Sequence, residues 1–131
     1  RLITRYVEHL ETQYADMLPE DSVQYSLESM FPEKSAMSQH DRIITDVLMS
    51  AQHRYPKAKK MLTQLFEGLV KSFADDLHKS FPAADKKQCR QVAYAIICMS
   101  EMHSSFMWLG MKKHYNSDAR KAADALLDTL R

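Results

Sequence analysis

Apolar residues recur at intervals of three and four along most of the chain, the spacing that gathers them on one side of an α-helix. From the start, Ile3, Tyr6, Val7, Leu10, Tyr14, Met17 and Leu18 keep this spacing until Pro19 stops the first predicted helix, about 1–18. A short second helix, about 22–31, takes Asp21 or Ser22 as N-cap and lines Val23, Leu27, Met30 and Phe31 on one stripe before Pro32. Residues 32–37 read as a loop. A third helix opens at Ser38-Gln39-His40-Asp41, a capping box in which the acidic residue reaches back to the cap. Its apolar face is Ile43, Ile44, Val47, Leu48 and Ala51. It is expected to close at Arg54-Tyr55, because the residue before Pro56 is pushed out of the helical region.

Pro56 suits the first position of a long fourth helix, about 56–81. Ala58, Met61, Leu62, Leu65, Phe66, Leu69, Val70, Phe73, Leu77 and Phe81 sustain the helical period, with Lys57, Lys59, Lys60, Lys71, Asp75 and Asp76 on the other side. Gly68, in its middle, fits either a close helix crossing or a mild bend. The segment 85–111 opens polar and then turns apolar around most of its circumference. Cys89, Val92, Ile96, Met99, Phe106 and Met107 share one broad face, and Ala95, Cys98, Met102 and Leu109 lie roughly opposite. A helix apolar on all sides must be covered on more than one, which predicts a partner subunit. A sixth helix, about 118–130 with Ser117 as N-cap, carries the stripe Ala119, Ala122, Ala123, Leu126, Leu127 and Leu130. That stripe packs either on its own core or, through its small residues, closely against another helix. The fold expected is therefore all-α: about six helices in an antiparallel bundle, one domain over 1–131.

Composition agrees and narrows the functions. With 131 residues, 45% hydrophobic and 27% charged, the chain suits one globular domain. Two Gly and four Pro favour long helices over strands and tight turns. A formal net charge of +1 lacks the basic footprint of a nucleic-acid reader. No apolar run reaches the roughly 18 residues that span a bilayer, and no signal peptide is visible. The expected compartment is the cytoplasm, where Cys89 and Cys98 would be buried free thiols. Nine positions apart on one helix, about 13 Å at 1.5 Å per residue, they cannot bridge each other. The chain begins at Arg1 rather than Met, as a processed product or a piece of a longer protein would.

Catalytic and metal chemistry find little footing. Among His9, His40, His53, His78, His103 and His114 no two are three or four apart. Neither Glu-x-x-His nor Cys-x-x-Cys spacing occurs. Ser104 and Ser105 follow His103, but adjacent helical residues do not face each other. With only Gly68 and Gly110, no glycine-rich phosphate loop can form. No enzyme, metal site or cofactor is expected. Ser100, Glu101, His103, Ser104 and Ser105 nevertheless interrupt an apolar stretch. Either they bond within the core or at a subunit interface, or they orient a ligand in an apolar pocket. His103 is the best candidate for that role, and Glu101 would suit a cationic ligand. Nine methionines, which re-pack easily, make ordinary core or an adaptable cavity. The candidate pocket residues are Tyr6, Met61, Phe66, Phe73, Met99, His103, Phe106 and Met107.

Three stretches resemble the C-terminal regulatory domain of TetR-type transcription regulators. Arg1-Leu2-Ile3-Thr4-Arg5-Tyr6-Val7-Glu8-His9-Leu10-Glu11 looks like the helix joining that family's DNA-binding head to its body. Tyr55-Pro56 before a long amphipathic helix looks like a mid-domain junction. Lys121-Ala122-Ala123-Asp124-Ala125-Leu126-Leu127-Asp128-Thr129-Leu130 looks like the closing helix. The resemblance implies a homodimer in which 85–111 and 118–130 pair with their copies. Candidate interface residues are Ala95, Cys98, Met102, Leu109, Ala119, Ala122, Ala123, Leu126, Leu127 and Leu130. It also implies an unknown small apolar or cationic ligand whose binding shifts the first helix. DNA would be contacted only through a helix-turn-helix head that this sequence does not contain. The alternatives are a helical module that binds a protein partner through the apolar faces of 85–111 and 118–130, and a helical-bundle enzyme or metal carrier.

Overall fold

A computed structural model of the chain describes residues 39–131 together with Thr4, Arg5, Glu8, His9, Thr12, Leu27, Glu28, Met30, Phe31 and Pro32. The described structure is all-helical. It holds four continuous helices where the hydropathy pattern predicts about six: α1 (Gln39–Ala51), α2 (Pro56–Ser80), α3 (Lys86–Trp108) and α4 (His114–Asp128). The first two predicted helices fall mostly outside the described residues. Within them, Thr4, Arg5, Glu8, His9, Thr12, Leu27, Glu28 and Met30 are helical.

The centre of the molecule is the α2–α3 hairpin. α2 packs most extensively against α3, α3 in turn against α4, and α1 along α2. Tyr55, extended as the residue before proline must be, delivers the chain to Pro56 at the first helical position. The 3.6 period of α2 then buries Ala58, Leu62, Leu65, Leu69, Phe73 and Leu77, with Met61, Phe66, Val70 and Phe81 packed at the edge of the core. Phe73, Leu77 and Ile96 are wholly removed from solvent, and each such burial contributes roughly 1.5–3 kcal/mol. Gly68 makes no close crossing: a Cβ placed on it would meet nothing within 4 Å.

Boundaries depart from the sequence expectation where local hydrogen bonding decides. α1 stops at Ala51, three residues before the expected end, because Arg54 and Tyr55 both donate to the Ala51 carbonyl and turn the chain toward Pro56. Its predicted capping box lies outside the residues described in full. Of its predicted apolar face only Leu48 is buried, with Ile44 against the core; Ile43 and Val47 face solvent. α3 starts at Lys86 under a capping box: Asp85 accepts from the Gln88 amide, and the Gln88 side chain accepts from the Asp85 amide. It ends at Trp108 rather than 111. Gly110, at φ +83°, takes the left-handed cap position, with Gly110 N–H donating to Met107 O and Met111 N–H to Phe106 O. That pair of bonds is a Schellman motif. α4 begins at His114, before the expected cap at Ser117, and its first turn holds Asn116 in the interior, bonded to His103 of α3.

Candidate binding surfaces around α3

α3 carries the residues that the sequence singles out, and its two sides differ. The inner side is buried: Cys89, Val92, Ala93, Ile96, Ile97, Ser100 and His103. Its polar groups are bonded within the chain. Ser100 Oγ donates to the Met30 carbonyl at 3.1 Å. His103 Nε2 lies 3.0 Å from Asn116 Oδ1, so the tautomer protonated at Nε2 donates to the amide oxygen. The His103 ring also tilts against Phe31 at a centroid distance of 5.7 Å. Arg42 reaches across from α1 to donate to Ser104 and Ser105. One turn of chain is fixed from outside as well, since Arg120 Nε donates to the Phe31 carbonyl at 2.9 Å. The polar interruption of α3 is thus used to tie α1, α4 and the Met30 carbonyl to this helix.

The outer side is largely exposed and mixed, with Lys87, Gln91 and Ser105 among its apolar residues. Tyr94, Met102 and Leu109 are 61%, 55% and 78% exposed, and Cys98 is exposed as well. At 100° per residue these four fall within about 80° of one another, opposite Ile96. Cys98 corrects the expectation of two buried thiols; Cys89 alone is buried. Burial pushes the Cys89 thiol above its ordinary pKa, helped by the Asp85 carboxylate. The Tyr94 phenol is also held above its ordinary value, first by its hydrogen bond to Cys98, then by the charge there and by partial burial. Of the predicted interface residues in and just after α4, Ala123, Leu127 and Leu130 lie in the subunit's own core. Ala119 and Leu126 are packed at its edge, and Ala122 is exposed. Ala95 is half-buried.

The predicted pocket residues do not converge on one cavity. Phe73 is fully buried, His103 is tied to Asn116, Met61, Phe66 and Met99 pack at the core's edge, Met107 is half-buried and Phe106 is 40% exposed. Tyr6 lies outside the described residues. An open groove of about 720 Å³ instead runs between α2 and α3, and Phe66 is the predicted pocket residue that lines it. Its apolar surface comes from Phe66, Val70, Ala74 and Tyr94. Lys71, Lys86, Lys87 and Arg90 stand around it with Glu67 and Asp75. The signal for it lies in two sequence stretches, 66–75 and 86–94, that the hairpin brings side by side. Among the described residues, no three His, Cys, Asp or Glu side chains are grouped to hold a metal ion, and no helix is long and apolar enough to cross a membrane. No family model matches the chain, and neither the curated proteins nor the solved structures contain a significant match.

Proposed function

We propose that this chain is the effector-binding and homodimerising domain of a TetR-like transcription regulator, most simply a repressor. What carries the reading is the outer side of α3, a stripe of exposed apolar side chains on a helix whose opposite side already fills the core. Exposed apolar side chains clustered on one side of a helix are a candidate interaction site. A second copy related by a two-fold axis would cover the stripe with the same stripe, joined by Ala122 and Tyr115 of α4. Effector binding would act by favouring one arrangement of the two subunits. Its leverage would be limited to its differential affinity for the two states. DNA contact would belong to a head joined ahead of residue 1.

Analytical ultracentrifugation of the chain across a concentration series tests this. The expected result is a monomer–dimer equilibrium that Met102→Lys with Leu109→Lys shifts to monomer while the helical content stays the same. A chain that remains monomeric at every concentration overturns the dimer reading and leaves the stripe to a different protein.

A further inference from the structure

The α2–α3 groove combines two features that select a ligand. Phe66, Val70 and Ala74 follow one another at intervals of four on α2. They make an apolar strip about 12 Å long at 1.5 Å per residue, and Tyr94 faces the same groove from α3. Around this strip stand four cations, Lys71, Lys86, Lys87 and Arg90, against two carboxylates, Glu67 and Asp75. Among the described residues none of the four cations forms an ion pair. Lys86 and Lys87 also occupy the first turn of α3, next to the Asp85 carboxylate that caps it. There the helix macrodipole is positive and disfavours cations. Even with Asp85 counted, cations outnumber carboxylates around an apolar trough whose volume suits a small organic molecule.

We propose that the groove binds a monomeric amphipathic anion, an unbranched acyl carboxylate. Its chain lies along Phe66, Val70 and Tyr94, and its carboxylate sits among Lys86, Lys87 and Arg90. The guanidinium of Arg90 offers a fork matched to a carboxylate. The ammonium groups offset the remaining charge and lose the repulsion of the helix end. The groove stands on α2 and α3 of one subunit; it shares Tyr94 with the stripe proposed to pair in the dimer, whereas Met102 and Leu109 do not line it.

The test titrates the full chain with decanoate below its micellar concentration, using calorimetry and backbone amide spectra. Decanol and decyltrimethylammonium serve as neutral and cationic controls of the same chain length. Decanoate is expected to bind saturably at one site, with amide shifts concentrated in 66–75 and 86–94. The two controls should bind about tenfold or more weakly, the loss of one charge-assisted bond. Lys86→Glu with Arg90→Glu, both at exposed positions, should weaken decanoate by a similar factor and strengthen decyltrimethylammonium, with an unchanged circular dichroism spectrum. Met102→Lys with Leu109→Lys should leave decanoate binding intact, which separates this site from the dimer. Equal affinity for all three ligands overturns the proposal. So do amide shifts elsewhere, or charge reversal without effect. Binding to phosphatidylglycerol vesicles without binding to monomeric decanoate also overturns it and assigns the groove to a lipid surface.

Discussion

The inner and outer sides of α3 are built from similar residues and meet different fates. On the inner side, Val92, Ile96 and Ile97 are buried, and the polar groups among them, Ser100 and His103, each have a partner from another part of the chain. On the outer side, Tyr94, Cys98 and Met102 meet solvent. The difference teaches that hydrophobicity alone does not mark the core. On the buried side the polar groups are paired across helices, because a buried polar group without a partner costs about 1–3 kcal/mol.

Paired substitutions put the contrast under strain. Ile96→Ala removes a fully buried side chain and should destabilise the subunit by about 2–5 kcal/mol. Met102→Ala on the outer side should change monomer stability by no more than about 0.5 kcal/mol. Urea unfolding at low protein concentration measures both. Comparable losses at the two positions would erase the distinction between the sides. His103→Ala should cost about 1–3 kcal/mol by stranding Asn116. The double change His103→Leu with Asn116→Leu should recover part of that loss, since the orphaned amide goes too. No recovery would mean that the bond contributes nothing and that shape alone matters.

The smallest effect sharpens the comparison between the two thiols. The Cys89 pKa is raised in the folded chain, above all by burial, so the unfolded thiol ionises first. Stability linked to Cys89 is then fully present below about pH 8.5 and declines as pH rises toward the folded value. Stability curves from pH 8 to 9.5 should fall more steeply for the unmodified chain than for Cys89→Ala. Parallel curves would show that Cys89 is not protected. Thiol labelling should agree, with Cys98 modified in the folded chain and Cys89 only on unfolding.

Much of this was written plainly in the pattern of apolar residues. α2 buries Ala58, Leu62, Leu65, Leu69, Phe73 and Leu77 of the residues its period selects and keeps Met61, Phe66, Val70 and Phe81 at the core's edge, and the pair Tyr55-Pro56 sets its start. Leu27, Met30 and Phe31, predicted to share one stripe, are all buried. The departures arise where a side chain or a single backbone conformation outweighs periodicity. Gly110 ends α3 through its positive φ. Asn116 belongs to the interior because His103 takes its amide. Ile43 and Val47 point to solvent because Thr45 and Leu48 face the core instead. The α2–α3 groove lay beyond reach for a different reason. Its lining comes from two helices whose relative rotation no one-dimensional spacing records, so Phe66 was visible as an aromatic on a helix but Lys86 and Arg90 were not visible as its neighbours.

The consecutive carbonyls of Met30 and Phe31 receive donors 70 and 89 residues further along the chain. Both bonds together need α3 and α4 side by side, and closing so long a loop is slow compared with zipping up a helical hairpin. We expect the arrival of this turn to be the last act of folding and its release the first step of unfolding. Ser100→Ala should then raise the unfolding rate and leave the refolding rate nearly unchanged. A slowed refolding limb in stopped-flow would instead place the turn in the nucleus.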